Sequence, residues 1–193
     1  MILLGTVLGC ASFVRAGIIA GPDVYDGATF YLLSPDTWTN SEAEALTQIG
    51  GTLATVPDSA TNQWINATFG SIAAKSNANL WLGYYDPNYL TDGTGAQHAA
   101  DFRWASGAGV SFTNWRSGEP NNDPGWDGEG YANLEVATGL WNDQNNDSSG
   151  SSDFGVVETV PEPASCASIA VIGLPSILRR RKISFHRIPR EII

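Results

Sequence analysis

The chain of 193 residues holds only two cysteines, two histidines and one methionine. Cys10 and Cys166 fall in apolar end segments, so the stretch from Gly21 to Pro163 has no cysteine and must fold without disulfides. Its core has to come from apolar burial, and all seven tryptophans lie between Trp38 and Trp141. Positive charge is equally scarce there: Lys75, Arg103 and Arg116 stand against nineteen acidic residues, a net charge of −16. Phosphate backbones repel such a surface, which excludes nucleic acid as a partner. With no thiolate and only His98, the same stretch lacks the ligands that zinc or copper prefers. His98 sits in a Gly- and Ala-rich segment and reads as a solvated loop residue. No nucleophile–histidine–carboxylate set and no Gly-rich phosphate loop stands out, and the chain reads as a non-enzyme.

The whole chain carries −10, because six of its ten basic residues crowd into the last fifteen positions. Both ends look like export signals. Residues 2–14 are almost wholly apolar, and small-residue cleavage candidates follow at Ala16 and Ala20, so residues 1–20 read as a leader, with a buried first strand as the alternative. At the other end, Val160-Pro161-Glu162-Pro163 precedes an apolar run from Ala164 to Leu178 and the cluster Arg179-Arg180-Arg181-Lys182. A short apolar helix with that cluster on one side inserts with its basic end in the cytoplasm. The order of parts over residues 160–182 resembles the PEP-CTERM sorting signal, although Ile183–Ile193 extends beyond the usual basic end. The resemblance implies an exported protein of a Gram-negative bacterium, transiently inserted in the inner membrane by residues 160–193. It also implies an exosortase-type enzyme that trims it at the cell envelope or before release to the extracellular matrix.

Residues 21–159 form the expected domain. Phe30–Leu33 reads as a strand, and Thr39 with Glu42 and Ser41 with Glu44 offer overlapping capping boxes for a first helix. Ala43, Leu46 and Ile49 mark its apolar face, and Gly50-Gly51 ends it. Thr52–Val56 alternates like a strand, and Asp58 or Ser59 caps a second helix carrying Ile65, Phe69 and Ile72 at helical spacing. Short strand candidates follow at 80–84, 102–105, 131–135 and 154–158, separated by long loops, notably 117–130.

The loops are rich in oxygen donors. Glu119, Asn121, Glu129, Asn142 and Asp143 supply three carboxylates and two amide carbonyls, and Ca²⁺ is a hard ion that takes about six to eight oxygens. Spacing alone leaves two readings open, since Asp and Asn are also common turn formers. Paired carboxylates hydrolyse glycosides in other settings, but here they are better placed as metal ligands.

An ordered set of motifs then resembles the C-type lectin-like domains over Thr29–Thr159. Trp38 leads the first helix, Gly50-Gly51-x-Leu53-Ala54 follows, and Trp81-Leu82-Gly83 stands in a central strand. Asn114-Trp115 precedes Glu119-Pro120-Asn121, and Trp141-Asn142-Asp143 closes the series. The resemblance implies an α+β C-type lectin-like fold with two helices, small antiparallel sheets and a long calcium-binding loop region. It assigns Glu119, Asn121, Glu129, Asn142 and Asp143 to one Ca²⁺ and to the sugar, with a cis bond before Pro120 and the Asp143 backbone carbonyl as a further ligand. The Glu/Asn order implies mannose- or glucose-type vicinal diols of a surface or extracellular polysaccharide. A module that keeps the fold and binds protein, or serves structure alone, is the alternative. Where the family has cysteines this chain has Leu46, Tyr131, about Asn146, and Val157, so an apolar Leu46–Val157 contact is expected to replace one bridge. Trp126 stands in mid-loop, where it either covers the sugar or packs down, and Asp86, Asp92 and Asn122 or Asp123 are weaker candidates for an accessory calcium site.

Overall fold

The structure is a computed structural model that describes residues 17–92, 96–123, 128–146 and 152–160. The leader candidate up to Ala16, Trp126 and the sorting segment from Pro161 onward lie outside the described residues. The chain divides after Pro161 into two units, and every element below belongs to the first. In chain order these are β1 (Ile18–Tyr25), β2 (Ala28–Asp36), α1 (Trp38–Glu44), β3 (Thr52–Leu53), α2 (Ser59–Ala74), β4 (Leu80–Tyr85), α3 (Ala96–Asp101), β5 (Arg103–Trp104), β6 (Tyr131–Leu134), β7 (Trp141–Gln144) and β8 (Asp153–Thr159). No helix among the described residues is long and apolar enough to cross a membrane.

The strands join in one network ordered β1-β2-β8-β4-β6-β7, with β3 added to β8 and β5 to β4. All pairs are antiparallel except β4 with β8. Because β4 is central, Leu80 to Tyr84 is buried on both faces and reads as a continuous apolar run. Leu80, Leu82 and Tyr84 join Ile65 and Phe69 of α2 and Trp141 of β7 in the larger core cluster. Trp81 points the other way, into a smaller cluster with Leu33, Trp38, Ala45, Leu53 and Val157.

Two indoles set the phase of α1. Trp38 Nε1 donates to the Leu82 carbonyl at 2.7 Å, and Trp81 Nε1 donates to the Asp36 carbonyl at 2.9 Å, tying the helix start to β4 from both sides. With Trp38 held in the first turn, the helix is capped by Thr37, whose hydroxyl accepts from Asn40 N at 3.2 Å, and not by Thr39 or Ser41. Glu42, expected in a capping box, instead accepts from Leu53 N at 2.7 Å. The same phase turns Trp38, Ser41 and Ala45 inward and leaves Ala43 and Leu46 in solvent. A π turn over Ala45–Ile49 then swings Ile49 partly back. The expected Leu46–Val157 contact is therefore absent: Leu46 is 56% exposed, and Ala45 packs in the Val157 cluster in its place. Asp58 caps α2 as expected, accepting from Thr61 N at 2.8 Å.

Gly83 shows why a glycine follows Trp81-Leu82. Its N–H donates to the Ala54 carbonyl at 2.9 Å and its carbonyl accepts from Ala105 N at 2.7 Å, so segments close on it from both sides. A β-carbon there would drive into the Leu53 carbonyl, a backbone atom that cannot rotate away. Gly83→Ala should lower stability by about 1–3 kcal/mol through this overlap. Gly109→Ala, at a position with open space around it, should be near neutral. Urea denaturation of the two variants compares them directly, and equal midpoints would refute the close-approach argument.

Candidate functional site

The long connection between β5 and β6 is laid against β7 by backbone pairing. Arg116 N donates to the Trp141 carbonyl and Trp141 N to the Asn114 carbonyl, both at 2.8 Å, while the Trp115 ring packs edge-on against Phe102 and Trp141. This register sets Arg116–Asn121 beside Asn142 and Asp143. The Glu119–Pro120 peptide is cis, as expected.

Asp143 is fully buried and fastens this loop. Its carboxylate accepts from Asn121 N at 3.1 and 3.2 Å and from Asn122 N at 2.8 Å. The third partner corrects the expectation for His98. That residue is 0% exposed, carried on α3, and its ring spans two carboxylates: Nε2 to Asp143 Oδ2 at 3.0 Å and Nδ1 to Asp86 Oδ2 at 2.6 Å. Ionised carboxylates only accept, so this geometry favours the form in which both ring nitrogens donate and the imidazole is charged. Burial by itself would lower the His98 pKa, but Asp143 and Asp86 outweigh it and hold the value above the ordinary one. A clue was present in the sequence, since the Ala and Gln residues around His98 favour a helix that would fix the ring.

The five assigned residues come together as follows. Glu119 Oε1 accepts from Arg116 Nη2 at 2.7 Å, and Asn142 Oδ1 accepts from the same nitrogen at 2.8 Å. Asn142 Nδ2 donates to the Asp143 backbone carbonyl. Glu129 Oε2 accepts from Asp123 N at 3.1 Å, and Glu129 N donates to Asn122 Oδ1 at 2.9 Å. Burial raises the Glu119 pKa, reinforced by Asp143 and opposed by Arg116. Burial likewise lifts Glu129 to about 7, with the nearby charges of Asp143, Asp123 and Glu119 adding to it. Three carboxylates thus repel one another across a small volume.

Two buried atoms in this group have no hydrogen-bond partner: Glu119 Oε2 and Asn121 Oδ1. Asn121 Oδ1 is an acceptor, as is Glu119 Oε2 while its carboxyl is ionised, and a buried acceptor is costly unless a donor, a proton or a cation meets it. An all-oxygen set of carboxylates and amide carbonyls fits Ca²⁺ by its chemistry. For the accessory candidates, Asp86 and Asp92 lie with one oxygen each within 4.8 Å of a His98 nitrogen. However, Asp86 Oδ2 meets the imidazole, Asp86 Oδ1 accepts from Asn88 N at 2.7 Å, and Asn122 Oδ1 is taken by Glu129 N. Sequence reasoning missed Arg116 altogether, because a lone arginine in a loop carries no pattern until the fold gives it neighbours.

Comparison with known proteins identifies the family. Residues 34–152 match the Lectin C-type domain family, and the chain belongs to it. The chain is 28% identical over 123 residues to the lectin BRA-3 of Megabalanus rosa, covering 62% of this chain and 65% of that protein. It is 30% identical over 95 residues to a perlucin-like protein of Mytilus galloprovincialis, covering 48% and 54%. The matches therefore span less than two thirds of these relatives' lengths. Among solved structures, an EPNH mutant of CEL-I, a C-type lectin from Cucumaria echinata, superposes with a TM-score of 0.56 at 23% identity, covering 70% of this chain and 92% of that one. The likeness establishes the α+β fold of a C-type lectin domain, and the family is one of carbohydrate-binding domains rather than enzymes.

The raised carboxylates give a pH dependence of known sign. Folding favours the protonated form of Glu129, so its contribution to stability is full below about 4.5 and lost as pH rises through about 7. His98, whose folded pKa is also raised, acts in the same direction. In chelator the melting temperature should fall over this interval, and millimolar calcium should flatten the fall by supplying the missing positive charge. A flat or rising profile in chelator would contradict the assignment.

Proposed function

We propose that the domain binds neutral glycans in a calcium-dependent manner, through Glu119, Asn121, Glu129, Asn142 and Asp143. The observation that carries this reading is the pair of buried, partnerless acceptors, Glu119 Oε2 and Asn121 Oδ1, set among three mutually repelling carboxylates. When bound, calcium supplies a positive centre with open positions that two adjacent hydroxyls of a sugar can fill. Around it the protein sets direction. The Glu119 and Glu129 carboxylates accept from a hydroxyl, and the Asn121 and Asn142 amides donate to one. A ligand is selected when its two hydroxyls present donors to the carboxylates and lone pairs to the amides at the same time. The order Glu119-Pro120-Asn121 favours the mannose or glucose type.

Calcium-dependent retention on immobilised mannose, with release by a chelator, is the expected result. Glu119→Gln combined with Asn121→Asp puts a donor at 119 and an acceptor at 121, the reverse of the native order around Pro120, and should shift preference toward galactose. Calcium binding without retention on any neutral sugar would refute the glycan reading and leave a structural or protein-binding module.

The domain is further proposed to act outside the cytoplasm, at a cell envelope or in an extracellular matrix, on surface polysaccharide, after removal of both end segments. Support for the N-terminal cut comes from β1. Pairing with β2 already begins at Gly17, whose N donates to Ser34 Oγ at 3.0 Å and whose carbonyl accepts from Ser34 N at 2.9 Å. Cleavage after Ala16 leaves this pairing whole, whereas cleavage after Ala20 removes the first three residues of β1. Mass spectrometry of the exported protein should find Gly17 at the start and a C-terminus near Pro163. An intact Ile193 would point to a retained anchor and no exosortase-type trimming.

A further inference from the structure

One nitrogen touches two of the five residues assigned to the ion. Arg116 Nη2 donates to Glu119 Oε1 at 2.7 Å and to Asn142 Oδ1 at 2.8 Å. Nε of the same guanidinium lies 3.3 Å from Glu135 Oε1, a carboxylate outside the ligand set. The arginine side chain is 46% exposed and that of Glu119 only 7%, so the guanidinium approaches from the solvent side onto a carboxylate that is itself enclosed. Glu135 is also fixed: its Oε2 accepts from Thr138 Oγ1 at 3.1 Å, and its backbone carbonyl closes the turn after β6 by accepting from Gly139 N at 2.8 Å.

We infer that Arg116 is a competing internal cation: it holds Glu119 and Asn142 in place of calcium, weakens the domain's calcium affinity, and moves aside on its Glu135 anchor when the ion binds. The inference rests on the calcium reading above. Each oxygen has a second lone pair, so contact with both cations is not barred by valence. Charge decides the matter instead. A guanidinium and a divalent ion sharing one carboxylate oxygen lie a few ångströms apart, where like charges in a partly buried site repel strongly. The Nε–Glu135 contact gives the arginine a second carboxylate to stay with, so only its Nη2 end has to leave. The arrangement also lets Glu119 and Asn142 stand in position before calcium arrives, which reduces the ordering cost of binding.

The test compares the full chain with Arg116→Gln by calcium titration calorimetry and by melting in chelator. Arg103→Gln, an equal change of charge on the exposed face of β5, serves as control. Arg116→Gln should bind calcium about fivefold more tightly or better, the size expected for one partly exposed ion pair. Its melting temperature in chelator should fall, because Glu119 loses its cationic partner. Arg103→Gln should change neither. Equal or weaker calcium binding by Arg116→Gln, an unmoved melting temperature in chelator, or equal tightening by Arg103→Gln would each overturn the inference. Calcium binding by neither the native chain nor Arg116→Gln would overturn the calcium reading itself, and the competition with it.

Discussion

The buried carboxylate of Asp143 is the point on which the long loop depends. A charge taken out of water has to be met by donors or it destabilises the fold by several kcal/mol, and here it is met by the backbone N–H groups of Asn121 and Asn122 and by the His98 ring. Those three partners come from two separate stretches of chain, so one side chain on β7 pins both of them. His98 passes the tie on to Asp86 just beyond β4. The loop that would otherwise be free to wander is thereby held by an ionic chain running from β7 through α3 to the end of the central strand.

This polar fastening, together with two indoles, stands where covalent bridges are missing. Trp38 and Trp81 cross-bond the start of α1 to β4, and the smaller cluster around Val157 closes over them with Ala45. The two devices differ in physics. Indole anchoring combines large apolar burial with one satisfied N–H, so it specifies a unique phase for the helix. The ionic chain specifies positions of oxygens, which is what a site for a hard cation requires.

Charge gains a local meaning from this. The domain has few cations, yet the single domain histidine and one of its three basic residues both face the candidate site: His98 on Asp143 and Arg116 on Glu119. Their placement answers the repulsion among Glu119, Glu129 and Asp143, which adds to burial in raising the first two pKa values. An acidic domain with two of its cations at the candidate site has counter-charges built in there, one buried and one partly exposed.

Much of the fold was legible because it rests on local chemistry. The Gly50 helix stop, the Asp58 cap, the apolar run of β4 and the strands at 131–135 and 154–158 are each dictated within a few residues. The ordered motifs from Trp38 to Asp143 carried the family and the five oxygen donors. What failed were statements needing a distant partner. The phase of α1 was misread because Trp38 bonds to Leu82, forty-four positions away, and that contact overrides the local pattern of Ala43 and Leu46. His98 looked solvated because nothing near it in the chain is acidic except Asp92 and Asp101, whereas its partners are Asp86 and Asp143. Arg116 was silent for the same reason. Sequence by itself determined most of the elements, though not β1 or α3, and the chemical kind of the candidate site, since these follow from residue types and short spacings. Only tertiary structure decided which charges meet, because a buried ion pair is defined by where the chain returns.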